Sequence, residues 1–131
     1  MDSELRAVAV PWFKSCGFTG TLPHFRRKSA SFTDLLTFQF DRHGGGFVIE
    51  IARCPSDGIV TSWGKAIPAS KATAWNVHPS CRLRIQAWDS AGTDGWFRFD
   101  RDTPEAITAL AISKLNEGGL WERVSALSRK S

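Results

Sequence analysis

Two runs of alternating polarity on either side of three glycines restrict this chain more than any other feature. In residues 32–41 (FTDLLTFQFD), Phe32, Leu36, Phe38 and Phe40 share one parity, and Thr33, Thr37, Gln39 and Asp41 share the other. Successive strand side chains point to opposite faces, so the pattern predicts a half-buried strand. Leu35 is the exception on the polar side. Residues 47–53 (FVIEIAR) place Phe47, Ile49 and Ile51 on one face in the same way. Between them Gly44-Gly45-Gly46 supplies a permissive turn. Two such runs around glycines predict an antiparallel hairpin, which needs other elements to cover its apolar face.

The flanking segments supply those elements. Leu5, Val8, Trp12 and Phe13 fall on one face of a helix over 4–16, which Gly17 is suited to end. Pro11 lacks an N–H, so it must kink this helix or mark a late start. Residues 21–28 (TLPHFRRK) read as a short strand, with Pro23 favouring an edge position. Residues 55–80 hold three prolines and form a long excursion, with a short helical piece near 69–75. Alternation returns at 81–88 (CRLRIQAW), a turn follows over 89–95, and 96–100 (WFRFD) is a short strand. Thr103 as N-cap, Pro104 at the first helical position and Glu105 in the first turn then start a helix. Its stripe is Ile107, Leu110, Ala111, Lys114 and Leu115; Gly118-Gly119 ends it. A last helix over 120–128 carries Leu120, Trp121, Val124 and Leu127. The order predicts a single α+β domain over 1–131. Its antiparallel meander has four to five strands, with an N-terminal helix and one or two C-terminal helices packed on one face.

Composition narrows the class. The 131 residues are one domain's length, and 42% hydrophobic with 23% charged residues excludes a disordered, collagen-like or disulfide-scaffold chain. The net charge of +4 is spread along the chain, and its one basic run, Arg26-Arg27-Lys28, reads as a solvated surface. Cys16, Cys54 and Cys81 are widely spaced behind an acidic, leaderless start, which implies reduced thiols and a cytoplasmic protein. No stretch has the length of a membrane span, so no membrane partner is expected.

Tested motifs mostly fail. Gly58 to Ala66 resembles a phosphate loop, but its second glycine is one residue late and Ala66 lacks the hydroxyl that would hold magnesium. His78 and Cys81 have ligand-like spacing without a second pair, so no metal or other cofactor is implied. No serine elbow or close carboxylate pair is present, and no catalytic residue is assigned. Gly95 to Phe99 faintly resembles the central strand of an RNA-recognition module but lacks its basic-glycine start.

The richest constellation is the polar parity of 81–88. Arg82, Arg84, Gln86 and Trp88 alternate toward one side, and Trp96 and Arg98 join them if 81–88 pairs with 96–100. Arginine and tryptophan on one sheet face suit cation–π stacking and recognition of carboxylate or phosphate. Phenylalanines fall on inferred core positions, among them Phe13, Phe40, Phe97 and Phe99. Trp12 and Trp121 belong to helix faces, whereas Trp63, Trp75, Trp88 and Trp96 lie in the long loop or on polar strand faces. The candidate binding residues are therefore Arg82, Arg84, Trp88, Trp96, Arg98, Trp63 and Trp75.

The order of parts resembles a bacterial domain of unknown function, the 4304 family. Lys14-x-x-Gly17-Phe18, Phe25-Arg26, Thr37-Phe38-Gln39-Phe40, Arg82-Leu83 and Gly95-Trp96-Phe97 carry the likeness. Thr19 stands where the family has a basic residue, and Trp96-Phe97 replaces a double tryptophan. The resemblance implies the fold over nearly the whole chain and brings no activity or catalytic residues. The expected function is a small cytoplasmic binding or protein-interaction module, with an immunity-type blocker of another protein as one form. The alternatives are a nucleic-acid binder using the Arg/Trp face and an enzyme with a pocket under the 55–80 loop.

Overall fold

A computed structural model describes residues 7, 9–41, 45–61, 64–86, 97–98, 103–116 and 119–129. The predicted α+β architecture is present. Helix α1 is Val10–Ser15, followed by β1 (Thr19–Thr21), β2 (His24–Lys28), β3 (Phe32–Phe40) and β4 (Gly46–Pro55). A small hairpin, β5 (Ile59–Val60) and β6 (Ala66–Ile67), precedes two 3-10 turns at Ala74–Asn76 and Pro79–Cys81. Strands β7 (Leu83–Ile85) and β8 (Phe97–Arg98) and helices α2 (Pro104–Leu115) and α3 (Leu120–Arg129) complete the order.

Pro11 follows residues that are already helical, residues 7 and 9 being π-helical and Ala9 having helical dihedrals. It stands in the first two positions of α1, at the junction where the π-helical turn gives way to α-helix. Gly17 ends the helix region at φ +93°, a conformation glycine adopts without strain. The cap expected of Thr103 forms, its hydroxyl accepting the Ala106 N–H at 3.2 Å.

The sheet is antiparallel in the order β1-β2-β3-β4-β7. The central hairpin is in the register Phe40 opposite Phe47 and Thr37 opposite Glu50. Pro23 does not mark an edge strand. It sits in the turn between β1 and β2, so β2 keeps partners on both sides, and the Pro23 carbonyl accepts the Phe38 N–H at 2.8 Å.

The expected pairing of 81–88 with 96–100 is also replaced. β7 lies opposite Ile49–Ile51 and β8 opposite Gly46 and Phe47, so both run end to end along the outer edge of β4. The regular strand is shorter than its alternation suggests, because Cys81 belongs to a 3-10 turn.

Phe25, Leu36, Phe38, Phe47, Ile49, Ile51, Ile85 and Phe97 line the helix-side face. Phe13, Ile107, Ala111, Leu115, Leu120 and Val124 pack against them. Phe40, at the end of β3, departs from the expected core and is 38% exposed. The opposite face is not solvated as the polar parity of β3 suggests. Leu35, Ala52 and Cys54 form a second apolar cluster with Ala72 and Ala74 of the long excursion. Thr33 and Thr37 are consequently buried. Residues 55–80 are thus a cover for the second face, which also accounts for Leu35.

Candidate functional site

On the helix-side face three charged residues occupy inward positions of three adjacent strands. Strand register puts Arg27 of β2 directly opposite Asp34 of β3, and Asp34 directly opposite Arg53 of β4. Arg27 gives Nε and Nη2 hydrogens to Asp34 Oδ2 at 2.9 and 2.8 Å, and its Nη1 donates to the Cys16 carbonyl at 3.2 Å. Arg53 Nε donates to Asp34 Oδ1 at 2.7 Å. The carboxylate is 2% exposed as a residue, so both of its oxygens are satisfied by guanidinium groups inside the protein.

Aromatic rings surround the guanidiniums. The Arg27 guanidinium carbon lies 4.6 Å from the Phe18 ring centre and 5.3 Å from that of Trp121. Arg53 lies 3.7 Å over Phe32 and 5.9 Å from Trp121. These distances fall within cation–π range. Beside them opens a cavity of about 430 Å³, walled by Trp12 and Phe18, by Leu36 of the sheet and by Trp121 at the start of α3. Glu122, also on the lining, is exposed. Among the described residues, no group of three His, Cys, Asp or Glu side chains is placed to hold a metal ion. None of the helices there is long and apolar enough to cross a membrane.

The family model described as Domain of unknown function (DUF4304) matches residues 8–122, from the approach to α1 into the first turn of α3. The chain belongs to this family. No curated protein and no solved structure matches it. The matched span holds Trp12, Phe18, Arg27, Asp34, Arg53 and Trp121, so the cavity of this DUF4304 domain lies within the family's own extent.

The described residues among those singled out from sequence lie elsewhere. Arg82 is held on the other side of the sheet, its Nε donating to the Val77 carbonyl at 2.9 Å and its Nη1 to Glu50 at 2.7 Å. Arg84 is exposed and stands opposite Glu50 across the β4–β7 ladder. Trp75 is 45% exposed, with its ring edge-on to His24 at 5.3 Å. Arg98 is placed by its backbone, opposite Gly46. Trp63, Trp88 and Trp96 lie outside the described residues, as does Phe99. Of the described candidates, Arg82 and Arg84 flank Glu50 on this second face.

The basic run is not simply solvated either. Arg27 enters the cluster, and Arg26 Nε donates to the Ala72 carbonyl at 2.6 Å, tying the long excursion to β2. A signal for the cavity was present in the sequence. Arg27 shares the parity of Phe25, Asp34 that of Leu36 and Phe38, and Arg53 that of Ile49 and Ile51. Charges on apolar parity in consecutive strands need one another once the strands pair.

The second face carries a pH-sensitive contact. His24 Nδ1 lies 3.1 Å from Thr37 Oγ1, which also accepts the Ala74 N–H at 3.2 Å. Burial holds the His24 imidazole below its ordinary value of 6.5, and the Arg26 charge lowers it further. The folded protein therefore takes up this proton at lower pH than the unfolded chain does. The stabilising difference is full above the unfolded value and is lost as pH falls through the folded one. Melting temperature measured from pH 8 to 5 should drop at the acid end, and His24→Gln should flatten that drop.

Proposed function

We propose that this DUF4304 protein is a non-catalytic binding module whose site is the cavity between α1, the sheet and α3, where it receives a ring-bearing apolar group of its partner. The observation that carries this reading is the cavity itself. Three aromatic side chains stand around about 430 Å³ of space, a volume within the ~300–1,000 Å³ of ligand pockets. The site draws on both terminal helices and three strands, so a bound group would be held by rigid elements rather than by a loop.

This reading has more support than a nucleic-acid surface. Arg82 and Arg26, two side chains that such a surface would use, spend Nε hydrogens on the Val77 and Ala72 carbonyls. It also differs from an enzyme pocket under the 55–80 segment, since the cavity opens on the other face of the sheet.

The test is nuclear magnetic resonance of indole N–H groups, assigned with Trp12→Phe and Trp121→Phe, during titration with indole and phenylacetamide at millimolar concentration. The Trp12 and Trp121 signals should shift together in a saturable way. If both stay in place with every ring probe, the binding reading is wrong.

A further inference from the structure

From the hydrogen-bond arithmetic of Arg27 we infer that the cavity reads a single carboxylate attached to an aromatic or other flat apolar body. This inference rests on the binding reading above and adds the chemistry of what is bound. A guanidinium has five N–H donors. Arg27 commits its Nε hydrogen and one hydrogen each from Nη1 and Nη2 to Asp34 and the Cys16 carbonyl. One hydrogen therefore remains on each terminal nitrogen. The side chain is 31% exposed and lines the cavity, which leaves these donors for a group bound there.

The surrounding groups hold those donors ready. Asp34 grips one edge of the guanidinium, and the Phe18 and Trp121 rings lie within cation–π range. Little side-chain freedom remains to be lost on binding, and an N–H on each terminal nitrogen of a guanidinium can serve the oxygens of a carboxylate. Arg53, on the other oxygen of Asp34, adds a second guanidinium to the same wall. Trp12, Phe18, Leu36 and Trp121 give the wall an apolar part that suits a flat hydrocarbon body, beside the polar Asn116 and Glu122.

The number of charges on the ligand is limited from the other side. Asp34 is within hydrogen-bond reach of both arginines, and Glu122 lies on the lining. Two carboxylates near the site disfavour a dianion such as a phosphate monoester, so a monoanion is the better match. Free aromatic acids and the C-terminal residue of a protein chain share this chemistry.

The experiment compares phenylacetate with phenylacetamide, equal in shape and different in charge, on the full chain with the Trp12 and Trp121 indole signals as readout. Phenylacetate should bind roughly tenfold more tightly, the scale of one charge-assisted interaction. Glu122→Gln, an exposed change with little effect on folding, should raise the preference for phenylacetate over phenylacetamide about two- to threefold by removing a like charge. Phenyl phosphate should bind more weakly than phenylacetate. A short peptide ending in phenylalanine separates the two sources. Tighter binding than phenylacetate, lost on C-terminal amidation, assigns a chain terminus; equal or weaker binding assigns a free acid. Equal affinity for acid and amide overturns the carboxylate inference while the binding reading stands, and unmoved signals with all probes overturn both.

Discussion

Asp34→Asn is expected to cost about 3–5 kcal/mol of unfolding free energy, the scale of breaking a buried ion pair from one side. Asp34 accepts three hydrogen bonds from two arginines and is almost fully buried. Asparagine keeps one acceptor oxygen and turns an NH₂ group toward a guanidinium, leaving cationic groups on an apolar face without their counter-charge. Arg27 is partly exposed, so solvent screens some of this penalty and places the loss nearer the lower figure. Replacing all three charges together, as Arg27→Met, Asp34→Leu and Arg53→Met, should instead leave stability unchanged or raise it by about 1–4 kcal/mol. Urea unfolding of the two variants gives the comparison directly. A loss below 1 kcal/mol for Asp34→Asn, or a triple variant less stable than the single one, would mean the three charges do not act as a buried network. The triple variant also separates folding from binding, because it should keep the fold while losing discrimination between phenylacetate and phenylacetamide.

The two halves of the structure were legible to different degrees, for physical reasons. The β3–β4 hairpin and the start of α2 follow from local chemistry, since strand alternation and a Thr-Pro-Glu cap act over a few residues. Leu35 and the buried Thr33 and Thr37 depend on what covers the second face. That cover is Ala72 and Ala74, whose small side chains give no periodic signal of their own. The 81–88 run misled for a related reason. Its alternation is real over Leu83–Ile85, but β4 pairs there with β7 and farther along with β8, an arrangement set by long-range register. Trp12 and Trp121 read as packing residues from sequence because each sits on the apolar stripe of its helix. They do pack against the core, and they also wall the cavity because the same rings reach the arginine pair beside it. Of the candidate site, sequence showed the out-of-place charges without showing that one register aligns all three.

Phe13→Ala should be about as costly, at about 3–5 kcal/mol, and should act on the site as well as the fold. The Phe13 ring is completely buried. Its centre lies 4.9 Å from that of Phe25, 5.3 Å from Trp12, 5.8 Å from Phe38 and 6.1 Å from Phe18. Truncation removes one large apolar side chain and several edge-to-face ring contacts at once, and the rings around it belong to different elements and cannot all collapse inward. Helix α1 has six residues, far fewer than a helix needs to persist alone in water. Its position therefore depends on this anchor, and with it the placement of Trp12 and of the Cys16 carbonyl that accepts from Arg27. Amide exchange should quicken over residues 12–18 more than over β3 and β4, while phenylacetamide affinity falls through loss of the Trp12 wall. Phe13→Leu, which retains most of the volume, should recover most of the stability and part of the affinity. A stable Phe13→Ala variant with unchanged exchange over α1 would show that something else holds the helix, and that the cavity has a different support from the one these contacts provide.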